Sequence, residues 1–221
     1  MSFPTLIESI AGREVAWIVF SYILGCFTAG YYWTRWRTGR DIRELGSGNV
    51  GARNVGRTLG RSGFAITLLL DATKGALAVA GARWLDADAE ATVAAILAVV
   101  AGHNWPAQLR FCGGKGIAVS LGALLVYQPF AVLALAAVFL PVIAVMRNFT
   151  LSGMLAFALA PLLMLIAGMP KVELAAISIL AALILLTHRR NIRVEMVRVG
   201  RTQAATDPAR GRIQNNSHDE A

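Results

Sequence analysis

Charge is scarce in this chain. Only 15% of its 221 residues are Asp, Glu, Lys or Arg, against roughly 25% in an ordinary soluble domain. Apolar residues fill the gap at 56%, and the mean hydropathy is +0.57. Acidic residues are fewest, 13 against 21 basic ones, for a net charge of +8. In a soluble protein that excess would point to nucleic acid. In so apolar a chain it reads instead as the Arg and Lys of cytoplasmic loops, and no nucleic-acid partner is expected. Cysteine is nearly absent: Cys26 lies in an apolar block and Cys112 in a polar loop. Two such residues make no disulfide framework, and without clustered Cys and His ligands no metal site is expected. The start, Met1-Ser2-Phe3-Pro4, has no basic region before its first apolar stretch, so no secretory leader is expected. There is no internal repeat.

The apolar residues come in blocks. Seven are read as membrane helices: 15–33, 64–82, 91–109, 117–127, 130–146, 151–167 and 172–187. An upright crossing takes about 20 residues. The fourth block is too short for that, and reads as a half-helix or as the continuation of a loop that dips into the membrane. The fold class expected is therefore an all-α integral membrane protein with seven transmembrane helices, some of them short or re-entrant. Residues 1–200 form one membrane-embedded domain. Residues 201–221 are polar and without periodicity, and are expected to be a disordered tail.

Basic residues set the orientation. Arg35, Arg37, Arg40, Arg43, Arg53, Arg57 and Arg61 follow the first block. On the same side fall Arg110, Lys115, Arg147, Arg189, Arg190 and Arg193, whereas the other side has Arg13, Arg83 and Lys171 beside Asp86, Asp88 and Glu90. The asymmetry predicts an outside N-terminus and a cytoplasmic C-terminus. Gln128-Pro129 and Met169-Pro170 then read as tight outer turns.

Two glycine-rich segments interrupt this pattern on the cytoplasmic side. Gly46-Ser47-Gly48-Asn49-Val50-Gly51-Ala52-Arg53-Asn54 is one, and Gly113-Gly114-Lys115-Gly116 is the other. Backbone so bare exposes N–H groups, and clustered N–H groups bind anions. The first segment fits G-x-G-x-x-G, but that dinucleotide pattern requires a preceding strand, and here a membrane helix precedes it. Phosphate binding remains, helped by Arg53, Arg57, Asn49 and Asn54. The second segment is not a Walker A loop, because Gly116 stands where Ser or Thr would hold magnesium. Lys115 still supplies a point charge, and the following helix start favours an anion.

Other polar residues lie in or beside the blocks. Asp71 and Lys74 share a helix face at i,i+3 and can pair. Charges at that depth point to function, although a pair that only fixes packing reads equally well. His103, in Gly102-His103-Asn104-Trp105-Pro106, is more often a satisfied structural residue than a catalyst. His188 and Asn191 lie one helical turn apart after the last block. With Arg57, Lys115 and Ser152 they sit at one cytoplasmic level and can converge on one pocket.

Taken together, these stretches resemble a known family, the acyl-phosphate-dependent glycerol-3-phosphate acyltransferases of bacteria (PlsY). The resemblance rests on Gly46 through Asn54 with Arg57, on Asp71-Ala72-Thr73-Lys74-Gly75, on Gly102 through Pro106 leading to Phe111-Cys112-Gly113-Gly114-Lys115-Gly116, and on His188-Arg189-Arg190-Asn191-Ile192. It implies a multi-pass enzyme of the bacterial inner membrane, its active site facing the cytoplasm. The reaction implied moves a fatty acyl group from acyl phosphate to the sn-1 hydroxyl of glycerol 3-phosphate. It gives lysophosphatidic acid and phosphate, the first step of phospholipid synthesis, without cofactor and by a monomer. Ser47, Lys115 and His188 become the candidate catalytic residues. Gly46, Gly48, Asn49, Asn54, Arg57, Lys74, His103, Gly113, Gly114, Gly116, Ser152 and Asn191 become candidates for substrate binding. The sequence departs from the family at two places. Arg53 replaces the usual Thr of Gly-Ala-Thr-Asn, and Val199-Gly200-Arg201-Thr202 lacks the usual Gly-x-Glu.

The chemistry suits that implication. Two phosphorylated substrates explain two glycine loops, and an acyl tail explains a site at the bilayer edge. Acyl phosphate carries a good leaving group, so orientation and charge stabilisation suffice. No Ser-His-Asp order is present, which favours Ser47 as a hydrogen-bond donor and direct attack by the glycerol hydroxyl. Either His188 or a phosphate oxygen of the donor takes the proton. The main alternative is a transporter of organic phosphates, which also uses broken helices. A small lipid kinase would need acidic metal ligands near the phosphates, and a scaffold would leave the buried Ser, Asn and Lys unexplained.

Overall fold

The computed structural model describes the backbone of residues 3–206 and the side chains of residues 12–189. Among the described residues there are eight α-helices and no strand. They are α1 (Phe3–Cys26), α2 (Ala29–Thr38), α3 (Ala52–Trp84), α4 (Ala89–Asn104), α5 (Ile117–Tyr127), α6 (Pro129–Met146), α7 (Phe149–Ile166) and α8 (Lys171–Thr206). Single 3₁₀ turns at Ile42–Glu44 and Ala107–Leu109 precede the two glycine loops. Five helical stretches are long and apolar enough to cross a bilayer: Gly12–Thr38, Ala52–Trp84, Pro129–Met146, Phe149–Ile166 and Lys171–Arg189. Their outward faces are apolar, with Val145, Ile166, Leu133 and Leu140 all exposed. That is the surface of a protein whose solvent is lipid.

The helices fall close to the blocks read from sequence, with physical reasons where they differ. Block 15–33 is not continuous, because α1 stops at Cys26 and α2 starts at Ala29. The carbonyls of Gly25 and Phe27 at this break accept from the buried Lys74 ammonium at 3.0 and 2.7 Å. Block 91–109 ends its helix early, at Asn104, since the residue before Pro106 is disfavoured in helical conformation. Helix α3 begins well before residue 64, but Gly60 interrupts it with φ 76° and ψ −167°. Helix α8 continues past 187 to Thr206, and residues 207–221 lie outside the described ones. Helix α5 has 11 residues, about 16 Å at ~1.5 Å per residue, or half a bilayer core.

Helices α1 and α4 pack closely, as do α3 with α5, α6 with α7 and α7 with α8. Small residues allow the first two contacts. A β-carbon on Gly102 would run into the Tyr22 carbonyl, and one on Gly122 into the Ala72 carbonyl. Backbone contact of this kind is how helices associate where no hydrophobic effect drives them together. The main core joins α3 through α8 around Val79, Ile96, Val99, Leu124, Phe157 and Leu180. A second, small core of Ile42, Val50 and Val55, flanked by Tyr31, Trp33, Leu45 and Leu59, seats the first glycine loop on α2 and the start of α3.

Candidate active site

The starts of α3, α5 and α7 and the Thr187–His188 turn of α8 meet around one cavity of about 890 Å³. Its polar end holds Ser47, Asn49, Arg53, Arg57, Lys115 and His188. Its other walls are apolar: Ile117 and Leu121 of α5, Val132, Leu135 and Phe139 of α6, and Met154 and Phe157 of α7. Among the described residues no Asp or Glu lines it. Three cations lining one cavity attract a multiply charged anion, and the apolar walls suit an acyl chain.

The first glycine loop is held from beneath by Asn54, which is 2% exposed. Its Oδ1 accepts from the Ser47 N–H at 2.8 Å, while its Nδ2 donates to the carbonyls of Leu45 at 2.8 Å, Asn49 at 2.9 Å and Ile42 at 3.3 Å. Gly46 and Gly48 take the left-handed φ values of 56° and 73° that this folding-back requires. Asn54 therefore borders the cavity as the loop's clamp. Ser47 keeps an exposed position at its rim.

The second loop is held by α4. The Gly113 N–H donates to Asn104 O at 3.1 Å and the Gly114 N–H to His103 O at 2.9 Å. Gly116, at φ 82°, then opens α5. Thr187 Oγ1 donates within its own helix to Ile184 O at 2.9 Å and lies 3.3 Å from Lys115 O, which sets α8 against the loop. Arg43 joins the two loop regions. It pairs with Asp41 at 2.7 Å and donates through Nη1 to Leu109 O at 2.9 Å. The Arg43 hydrogen bonds hold the Asp41 carboxyl below its ordinary range, and Asp41 in turn raises Arg43.

His188 is buried, and its Nδ1 lies 2.8 Å from Ile184 O. A carbonyl only accepts, so Nδ1 carries the proton and the Nε2 lone pair is left free to accept one. Arg53 donates from Nη1 to Thr150 Oγ1 at 2.7 Å and lies 4.9 Å from the Phe149 ring centroid.

Of the residues expected from sequence, Ser47, Lys115 and His188 line the cavity, as do Gly48, Asn49, Asn54, Arg57 and Gly113. Gly46, Gly114 and Gly116 belong to the loops but are not among its lining. Lys74 and His103 are placed elsewhere, buried between α1, α3 and α4, where Nζ and Nδ1 are 2.9 Å apart. Ser152 is fully buried and its hydroxyl donates to Asn148 O at 2.8 Å, within the first turn of α7. The Asn191 side chain lies outside the described residues. Sequence reasoning passed over Phe149 and Thr150, whereas Arg53, named there as added charge for phosphate binding, does line the cavity. Arg53 stands at i,i+4 from Arg57 and so shares its helix face.

A helical membrane protein with a cation-lined pocket running into apolar walls is built to handle phosphorylated amphiphiles. Comparison with known proteins narrows that class. The sequence model of the glycerol-3-phosphate acyltransferase family matches residues 15–197, and the chain belongs to this family. It is 47% identical over 177 residues to glycerol-3-phosphate acyltransferase 1 of Desulfitobacterium hafniense, covering 80% of this chain and 87% of that one. It is 45% identical over 179 residues to the Myxococcus xanthus glycerol-3-phosphate acyltransferase, covering 80% and 93%. Among solved structures, it resembles PlsY, an integral membrane glycerol 3-phosphate acyltransferase, in its glycerol 3-phosphate form. The TM-score is 0.77 at 32% identity, covering 84% of this chain and 92% of that one. The lysophosphatidic acid form of PlsY gives a TM-score of 0.74 at 30% identity, with coverage of 84% and 92%.

Proposed function

We propose that this protein transfers a fatty acyl group from acyl phosphate to the sn-1 hydroxyl of glycerol 3-phosphate, giving lysophosphatidic acid and phosphate. The observation that carries the proposal is the single cavity. It joins Ser47, Arg53, Arg57, Lys115 and His188 at one end to apolar walls from α5, α6 and α7 along the other. Such a site receives a small dianion and the phosphate head of a long-chain donor together, with the tail toward lipid. We place it at the cytoplasmic face of the bacterial inner membrane, in a seven-span chain with an outside N-terminus. The Arg-rich loops beside it support that orientation.

In this reading Arg57 and Lys115 hold phosphate, the two glycine loops place them, and the Ser47 hydroxyl donates to substrate. The glycerol hydroxyl oxygen attacks the acyl carbonyl carbon and forms the ester bond. The bond from that carbon to the phosphate oxygen breaks, and inorganic phosphate leaves. The hydroxyl proton passes to His188 Nε2, the atom left free by the Ile184 contact; a phosphate oxygen of the donor is the competing acceptor. Lys115 and the Ser47 hydroxyl offset the charge that develops on the carbonyl and phosphate oxygens. Held in line, the two substrates need only orientation and charge stabilisation.

The test is phosphate release by the detergent-purified protein given palmitoyl phosphate without added metal, with and without glycerol 3-phosphate. The expected result is release that needs both substrates and yields lysophosphatidic acid. Absence of release from a folded preparation, with palmitoyl-CoA also inert, overturns the proposal and makes organic-phosphate uptake in proteoliposomes the next measurement.

A further inference from the structure

A second polar cluster lies beneath the 113–116 loop, outside the cavity. Lys74 is 3% exposed. Its Nζ stands 2.9 Å from Asp71 Oδ1 and 2.9 Å from His103 Nδ1. It also donates to the carbonyls of Gly25 and Phe27, which the α1–α2 break has freed. Buried charge of this kind is costly unless every proton has a partner, and here the three ammonium protons face four acceptors. None of these groups lines the cavity, so the cluster takes no direct part in the transfer.

The cluster does reach the second glycine loop. The Nδ1 edge of the His103 ring faces Lys74, and its Nε2 edge faces Gly114. A β-carbon on Gly114 would fall on Nε2 itself, and one on Gly113 would strike the His103 carbonyl and the Pro106 ring. The loop thus rests against the Nε2 end of the imidazole, pinned by the two backbone hydrogen bonds to Asn104 O and His103 O. The next residue is Lys115. Close approach, rather than anion binding, is what excludes a side chain at Gly114.

We propose that Lys74 and His103 are positioning residues for glycerol 3-phosphate. The ammonium fixes the imidazole, the imidazole is the plate under Gly114, and the plate sets where Lys115 meets the phosphate. This rests on the acyltransferase reading of the cavity, and replaces the expectation that Lys74 and His103 touch substrate.

The test is a double-mutant cycle in the full-length protein with Gly114→Ala, His103→Ala and both together. Two quantities are read: KM and kcat for glycerol 3-phosphate, and the rate of tryptic cleavage after Lys115 without substrate. Gly114→Ala is expected to raise KM about ten-fold or more with a smaller change in kcat, and to speed cleavage. Once the ring is gone the added methyl has room. The double variant should then lie within about three-fold of His103→Ala alone in both readouts. If His103→Ala does not fold, His103→Asn takes its place, clearing the same space and keeping a polar partner for Lys74. Penalties that simply multiply, or a fall in kcat and melting temperature with KM unchanged, overturn the proposal. A wild type that turns over nothing sinks the acyltransferase reading instead, and the cleavage rates still decide whether the plate exists.

Discussion

The guanidinium of Arg53, on the first turn of α3, donates to the hydroxyl of Thr150, on the first turn of α7, at 2.7 Å. The contact crosses the polar end of the cavity. The Phe149 ring lies beneath the guanidinium, its centroid 4.9 Å away, and adds a cation–π contact. Where relatives with Thr in the Gly-Ala-Thr-Asn motif have a short hydroxyl side chain, this chain has a third cation and a strut between two helices.

Replacing that strut separates its two roles. Arg53→Thr is expected to raise the KM for at least one phosphorylated substrate about three- to ten-fold, the scale of one partly solvated charge-assisted contact. Arg53→Lys keeps charge but not the planar fork, and should recover part of the loss. Steady-state kinetics with each substrate varied in turn would show it. An Arg53→Thr enzyme with unchanged KM for both would make Arg53 a bystander at the rim.

Asn54 offers a sharper case. Its amide satisfies four backbone groups of the first loop. Asn54→Ala removes the partner of the Ser47 N–H and the Asn49 carbonyl, while the Ile42 and Leu45 carbonyls keep the Leu45 and Gly48 N–H groups; the cost is roughly 1–3 kcal/mol for each group that stays buried and unsatisfied. Turnover should fall by about a hundred-fold or more as the Ser47 backbone loses its anchor. Asn54→Asp keeps the acceptor for the Ser47 N–H and loses the donors, so an intermediate loss is expected. Paired measurement of activity and thermal unfolding in detergent tests this, and full activity in Asn54→Ala would contradict the clamp.

The helices were legible because apolar runs near bilayer length have few alternatives in lipid. The glycine loops were legible because bare polar backbone stands out between such runs. The breaks were not. Neither Phe27-Thr28 nor Gly60 is marked by proline, and the first is held open by a lysine 47 positions beyond Phe27, Lys74, whose ammonium meets the Phe27 carbonyl. Helix periodicity paired Asp71 with Lys74 correctly, yet it does not tell which neighbouring helix their shared face meets. That missing knowledge is what put Lys74 and His103 with the substrate contacts. Ser152 was placed at the right level of the bundle, but its hydroxyl turns back to Asn148 O instead of entering the cavity. Helical serines commonly do this.

His188→Gln tests the proton acceptor. Glutamine keeps a polar group of similar reach but no basic nitrogen. The expected result is a fall in kcat of about a hundred-fold, the usual scale of general base catalysis, with KM for glycerol 3-phosphate little changed. Turnover close to wild type would hand the proton to the donor's own phosphate.

Helix contact at Gly122 is tested by adding one methyl. A β-carbon there meets the Ala72 carbonyl, so Gly122→Ala must push α5 away from α3. The expected cost is about 1–3 kcal/mol, the scale of overpacking in a filled interior, read as a lower unfolding temperature. Gly153 has nothing within reach of an added β-carbon, and Gly153→Ala should leave the unfolding temperature unchanged or slightly raised, as a Gly-to-Ala change in a helix interior does.

The Asp41–Arg43 pair links the first loop to the turn before the second, and its strength depends on pH in a definite direction. Asp41 is held below its ordinary range by the Arg43 hydrogen bonds, so its folded pKa lies under the unfolded value of about 3.9. The pair's contribution to stability is therefore complete above that value, and it is lost as pH falls through the lower, folded one. Asp41→Asn should lower the unfolding temperature at pH 7 by about 1–2 °C, as befits a partly exposed pair. The gap between wild type and variant should stay constant down to about pH 5 and close below about pH 4. A gap that widens on acidification would mean that Asp41 is stabilised in its protonated form, contrary to the geometry.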